Sequence, residues 1–259
     1  MGVKMADSFY IFGKEIPIYG ALFFGGIGLA GLVAALLRWK KPHMEAFDLV
    51  CSAVYSMIGA MIGSKLLFIA VTLDDIIKYN VPLEAVIKGG FVFYGGLIGG
   101  FLGLVIYMWQ FKMHLRDFVD TYAAVVPLGH ALGRVGCFFA GCCWGFEYDG
   151  PGAVIYTDVM GNTPVGVPLF PVQLLEAALL LVLFAVLVVV FFKSQKKGTV
   201  AFVYAGAYSV IRFVVEFFRA DRGRGLLLGI STSQWISILV LACAVLLLVR
   251  SKRAPKPEQ

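Results

Sequence analysis

Runs of about 20 consecutive apolar residues constrain this chain more than any other feature. In hydrocarbon the backbone must satisfy its own hydrogen bonds, so such runs are helices or nothing. Seven can be read, at roughly 16–37, 48–72, 91–111, 117–133, 169–192, 199–218 and 232–249. They predict an all-α polytopic membrane protein with about seven transmembrane helices. Of the 259 residues, 60% are hydrophobic and only 15% charged, against about half and about a quarter in a soluble domain. The net charge of +6 does not point to nucleic acid. The basic residues sit at the ends of apolar runs, where they set topology and meet anionic headgroups. The first run, Ile16 to Leu37, is long enough to span and lacks a small-residue cleavage site, so it is expected to stay as a helix.

Lysine and arginine set the expected orientation. With the N-terminus outside and the C-terminus cytoplasmic, the inner segments 38–47, 112–116, 193–198 and 250–259 carry twelve of these residues and the outer segments eight, as the positive-inside rule asks. The chain reads as a single integral membrane domain, 1–259, with a longer outer loop at about 136–168. No internal repeat is visible, which argues against an inverted-repeat transporter. The third run is rich in glycine and the fourth carries Asp117, Asp120, His130 and Arg134. Both are therefore candidates for partly re-entrant segments.

Ionisable groups within spans are functional candidates by default. In "IRFVVEFFRADRGRG", Arg212, Glu216 and Arg219 stand at i, i+4 and i+7 and are expected to share one helix face. One reading is an Arg–Glu pair with Arg219 reaching to the interface. The other is an arginine clamp on an anionic headgroup, with Glu216 orienting Arg212 and net positive charge left over. Asp221, Arg222 and Arg224 extend the same polar edge. In "FVFYGGLIGGFLG", Gly95, Gly96, Gly99, Gly100 and Gly103 leave one helix face nearly bare. That face suits close packing against another helix, or the approach of a headgroup with Tyr94 at its edge, and the two are compatible.

The third cluster is "GRVGCFFAGCCWG", Gly133 to Gly145. Arg134, four residues after His130, is expected to leave its helix at a glycine turn, placed either for a phosphate or as an interfacial anchor. Cys137, Cys142 and Cys143 admit three readings: inert packing among Phe138, Phe139 and Trp144, reactive thiols near Arg134, or a bridge from Cys137 to Cys142 or Cys143. Their spacing matches no zinc pattern, so no metal is expected. Cys51 and Cys243 are single residues within spans and read as packing.

The order of these motifs resembles the phosphatidylglycerol–prolipoprotein diacylglyceryl transferase family. The resemblance covers most of the chain, from Tyr19-Gly20 through "YGGLIGG" (94–100), "GRVGCFFAGCCWG", "PVQLLEA" (171–177) and "RFVVEFFR" (212–219) to "STSQWISI" (231–238). It implies a bacterial inner (plasma) membrane enzyme that moves the diacylglyceryl group of phosphatidylglycerol onto the lipobox cysteine thiol of a secreted prolipoprotein and releases glycerol phosphate. No cofactor is implied. On this reading Tyr94, Arg134 and Arg212 are the catalytic candidates. Gly95, Gly96, Gly99, Arg134, Arg212, Glu216 and Arg219 would bind substrate, and Cys137, Cys142 and Cys143 have a possible thiol role.

The chain departs from the family signature Gly-Arg-x-Gly-Asn-Phe-x-Asn-x-Glu-x-x-Gly. Cys137 stands for the first Asn, Ala140 for the second and Cys142 for the Glu. Tyr94 stands where many members have histidine, and Phe170 and Leu175 replace a His and a Tyr around the Pro-x-Gln-x-x-Glu segment. At neutral pH a thiol near pKa 8.5 is mostly uncharged, so it is no simple substitute for a carboxylate near 4.3. Alternatives are therefore a paralogue that transfers a phospholipid-derived group to another acceptor, with Cys142 or Cys143 as a transient nucleophile, and a non-catalytic membrane protein that binds or transports lipid.

Overall fold

A computed structural model describes residues 8–11, 14–40, 44–157, 163–221 and 226–253. Each of the seven apolar runs is helical: α1 (Ile18–Leu37), α2 (Ala46–Lys78), α4 (Phe93–Gln110), α5 (Leu115–Phe139), α6 (Val172–Lys193), α7 (Thr199–Val215) and α8 (Thr232–Arg253). A short helix, α3 (Leu83–Lys88), lies between α2 and α4. Among the described residues, five helical stretches are long and apolar enough to cross a membrane: Ile18–Lys40, Ala46–Lys78, Leu115–Phe139, Val172–Lys193 and Thr199–Phe218. The described residues also form three two-stranded antiparallel ribbons: β1 (Ser8–Ile11) with β2 (Lys14–Pro17), β3 (Val154–Ile155) with β4 (Pro168–Leu169), and β5 (Leu226–Leu227) with β6 (Ile230–Ser231).

The chain groups into two compact units, residues 35–118 and residues 1–34 with 119–259. In the first, α2 and α4 cross at backbone contact. A Cβ on Gly95 would overlap the carbonyl oxygen of Gly63, one on Gly99 that of Gly59, and one on Gly103 that of Tyr55. Gly96 faces the Ser64 hydroxyl and Gly100 faces Ala60. The small residues thus let two helices meet without intervening side chains. Lys65, an ammonium within α2, is absorbed locally. Its Nζ donates to the carbonyls of Val86, Ile87, Gly89 and Gly90 at 2.9–3.3 Å, where α3 ends, and lies 4.4 Å from the centre of the Phe91 ring. A cation at a helix C-terminus meets orphan carbonyls and the negative end of the dipole.

In the second unit, α5 is continuous through Pro127 and runs to Phe139, six residues past the expected end of its span. Both α5 and α4 are uninterrupted helices, without the irregular backbone expected of a re-entrant segment. Asp120 in α5 accepts from the backbone N–H groups of Gly198 (2.7 Å) and Ala201 (3.0 Å), so it caps the start of α7. This buried acid is structural, satisfying donors that a helix N-terminus leaves over. Two small residues, Ala131 of α5 and Ala177 of α6, share a buried cluster with Leu180, against which Val135 and Tyr208 pack. Helices α5, α6 and α7 therefore converge on a tight apolar seam.

Candidate active site

Polar groups gather directly beside that seam. His130, Arg134 and Cys137 lie at i, i+4 and i+7 on one face of α5. Arg134 Nε donates to His130 Nε2 at 3.2 Å and stands 3.1 Å from Glu176 Oε2. Glu176 belongs to the second turn of α6 and is 1% exposed. Its other oxygen, Oε1, is 3.9 Å from His130 Nε2 and has no hydrogen-bond partner among the described residues. From α7, the Tyr208 ring meets His130 edge-on at 5.5 Å, and its hydroxyl lies within electrostatic reach of Glu176, Arg134 and Arg212. Glu176 and His130 occupy the Nε edge of Arg134, leaving the outer fork of the guanidinium unclaimed by either.

Arg212 is 8% exposed near the end of α7. Its Nη2 donates to Ser233 Oγ at 3.1 Å and stands 2.6 Å from Glu216 Oε2, while Nη1 is buried without a hydrogen-bond partner among the described residues. Local sequence explains Ser233. Ser231 and Gln234 form reciprocal bonds at the start of α8: Gln234 N donates to Ser231 Oγ at 3.2 Å and Ser231 N donates to Gln234 Oε1 at 3.1 Å. This S-x-x-Q capping box starts the helix and turns Ser233 toward Arg212.

Two expectations need correction here. Arg134 does not leave a helix at a glycine turn. Gly133 and Gly136 are helical, and Gly136 serves as a contact for Tyr19, whose ring would lie 3.2 Å from an added Cβ. Nor does Arg219 share a helix face with Arg212. After α7 comes a single 3-10 turn, Glu216–Phe218, and Arg219 is extended at φ −92° and ψ 141°. Its guanidinium is held by Asp221, with Nε donating to Oδ1 at 2.9 Å and Nη2 to Oδ2 at 2.6 Å. Each arginine thus has its own carboxylate, so no net positive charge is left over from the three pairs. Arg222 and Arg224 lie outside the described residues.

The segment after α5 is drawn back under the site. Phe146 N donates to the Phe218 carbonyl (3.1 Å) and Ala220 N to that of Trp144 (3.2 Å), so 144–146 runs antiparallel to 218–220 and brings Arg219 beside Cys143. Gln173 Nε2 donates to the Cys142 carbonyl at 2.7 Å. No disulfide joins Cys137, Cys142 and Cys143, and their Sγ atoms lie within 4.8 Å of one another. Hydrogen bonds from Cys137 and Cys142, and then the Arg219 guanidinium, hold the Cys143 thiol well below the usual thiol range. The same exchange among the three pushes Cys142 up.

Tyr94 sits in the first turn of α4, in the other compact unit and partly buried. Gly95, Gly96 and Gly99 there face α2 rather than an open surface. The residues missed by sequence reasoning are Glu176, His130 as a member of the site, Tyr208, Gln173 and Ser233. A polar or ionisable residue in an apolar helix was the available signal, most plainly Glu176, the one acid in the 22 residues of α6.

The family model for prolipoprotein diacylglyceryl transferase matches residues 7–250. The chain is 33% identical over 237 residues to the phosphatidylglycerol–prolipoprotein diacylglyceryl transferase of Clostridium tetani, covering 92% of this chain and 94% of that one. It is 32% identical to the second such enzyme of Clostridium perfringens, covering 92% and 91%. To that of Burkholderia lata it is 31% identical, covering 91% and 90%.

Proposed function

The chain belongs to the prolipoprotein diacylglyceryl transferase family, and from that premise we propose that it transfers the diacylglyceryl group of phosphatidylglycerol to the lipobox cysteine thiol of a secreted prolipoprotein. The thiolate sulfur bonds to the terminal glyceryl carbon of the diacylglyceryl group. The bond from that carbon to the phosphate oxygen breaks, and its electron pair leaves with glycerol phosphate. The thiol proton passes to solvent. The donor phosphate goes from one negative charge to two, so preorganised donors aimed at it act where charge develops.

The observation that carries this reading is the buried Arg212 Nη1, a guanidinium nitrogen without a hydrogen-bond partner among the described residues, on an arginine fixed by Glu216 and Ser233. A buried cationic donor left open favours an anionic acceptor. Arg134, positioned by Glu176 and His130, is its counterpart on α5. In this reading Arg134 and Arg212 hold the phosphate and Glu216 orients Arg212. Arg219, held by Asp221, fixes the 143–146 segment at the edge of the site. Gly95, Gly96 and Gly99 act by seating α4 on α2, and Tyr94 at the head of α4 donates a hydrogen bond or relays a proton. All seven long helices span the bacterial inner membrane, N-terminus out and C-terminus in, in keeping with the bias of basic residues.

Reconstitution tests this directly. Purified protein in phosphatidylglycerol vesicles should raise the mass of a lipobox peptide by one diacylglyceryl group and release glycerol phosphate. An unchanged peptide, with phosphatidylglycerol shown to bind, overturns the proposed acceptor and favours a paralogue acting on another one.

A further inference from the structure

The three thiols after Arg134 are arranged rather than merely close in sequence. Cys137 lies in the last turn of α5, and Cys142 N donates back to the Cys137 carbonyl at 3.1 Å. The reversal needs Gly141 at φ +61° and, two residues on, Cys143 at φ +60°. A non-glycine residue seldom takes that left-handed conformation, and here it swings the third sulfur toward the other two. The turn is fixed from outside by Gln173 on the Cys142 carbonyl, by Thr163 on the Gly141 carbonyl, and by the pairing of 144–146 with 218–220.

All three Sγ atoms lie within 4.8 Å of one another. A three-coordinate ion with metal–sulfur bonds of about 2.3 Å would set its sulfurs about 4 Å apart, so a contraction of less than about 1 Å closes the site. The donors are sulfur alone. His130, the nearest imidazole along α5, is engaged by Arg134 and Glu176. Two guanidinium groups stand beside the sulfurs, Arg134 near Cys137 and Arg219 near Cys143. The thiols are only partly buried, so an ion has access.

We propose that Cys137, Cys142 and Cys143 form a three-thiolate site for one soft, thiophilic cation, with Cu(I) as the best match. Zinc favours four protein ligands in a closed site or a water in the fourth position. Thiolates without nitrogen or oxygen partners select Cu(I). Binding changes no oxidation state. Each coordinating sulfur that is still protonated releases its proton to solvent, so affinity rises with pH. The site is independent of the transferase reading, because its occupancy is read without any lipid substrate.

The test uses the full chain in detergent, reduced and kept free of oxygen, titrated with Cu(I) against a chelator of known affinity. One ion per chain is expected, with the X-ray absorption of the unmutated protein showing three sulfur neighbours near 2.3 Å. Cys137→Ser, Cys142→Ser and Cys143→Ser should each weaken binding about 100-fold or more, since even outer-shell partners of a metal commonly account for 10- to 100-fold. The double variant Cys51→Ser/Cys243→Ser should bind as the parent does. No competition with the chelator, or a first shell dominated by nitrogen and oxygen, overturns the proposal. Full binding by Cys142→Ser does so as well. The absorption measurement needs no variant and stands even if a substitution prevents folding.

Discussion

Glu176 Oε2 lies 3.1 Å from Arg134 Nε, so the single acid of α6 is tied to the arginine that α5 carries through its last turns. Both groups are largely withdrawn from solvent, with side-chain exposures of 1% and 15%. Breaking such a pair leaves one charge buried and alone, which costs about 3–5 kcal/mol. Glu176→Gln keeps the shape of the side chain and removes its charge. It should lower the unfolding midpoint of the detergent-solubilised protein by several degrees and depress transfer activity as Arg134 loses its orientation. The double variant Glu176→Gln/Arg134→Gln should recover part of the stability while remaining inactive. A single variant as stable as the parent would show that the pair is not held in solution.

Arg212 supports a sharper expectation, because shape and charge can be separated there. Arg212→Lys retains a positive charge near Glu216 and loses the planar fork that reaches Ser233 and presents Nη1. If that fork meets the phosphate as charge develops, kcat should fall by about 100-fold or more, with the KM for phosphatidylglycerol changing far less. A rise in KM at constant kcat would instead mean that Arg212 binds the donor equally before and during the reaction.

Much of this architecture was legible in the residues, and the exceptions have physical causes. Apolar runs of helix-spanning length coincide with the seven long helices among the described residues, five of whose stretches are long and apolar enough to cross a membrane. The end of α5 was misplaced since Gly133 and Gly136 read as a turn, whereas within a bundle a glycine also admits a neighbour such as Tyr19. The i, i+4, i+7 pattern joined Arg212, Glu216 and Arg219 only while the helix lasted, and it ends at Val215. The partner of Arg134 lies 42 positions away on another helix, beyond the reach of any local spacing rule. The meeting of the three thiols depends on two left-handed residues, of which Cys143 carries no sequence signal for that conformation.

The glycine face of α4 yields a contrast in sign. At Gly99 an added methyl would run into the Gly59 carbonyl, a backbone atom that no rotamer change can move aside. Gly99→Ala should therefore destabilise by about 1–3 kcal/mol, as overpacking does. Gly28 of α1 has nothing within 4 Å of the same position. Gly28→Ala should be neutral or stabilising by up to about 1 kcal/mol through the reduced entropy of the unfolded chain. Thermal unfolding of the two variants side by side checks both, and equal shifts would dissolve the proposed α2–α4 contact.

Cys143 gives a pH dependence whose sign follows from its neighbours. Hydrogen bonds from Cys137 and Cys142, followed by the Arg219 guanidinium, stabilise its thiolate and lower its pKa. The nucleophilic form therefore persists to lower pH than in an ordinary thiol. Alkylation of an unperturbed cysteine slows about tenfold per unit below its pKa near 8.5. In metal-free protein, modification of Cys143 should instead fall off less steeply with decreasing pH than that of a small-molecule thiol alkylated in parallel. Replacing Arg219 and Asp221 together, by Gln and Asn, removes the cation without stranding its partner. The Cys143 profile should then shift upward in pH, by less than it would if Cys137 and Cys142 were also replaced. Site-resolved mass spectrometry after timed alkylation reads Cys143 beside that reference thiol. A Cys143 slope parallel to that of the small-molecule thiol would mean that neither the neighbouring thiols nor Arg219 stabilises the Cys143 thiolate.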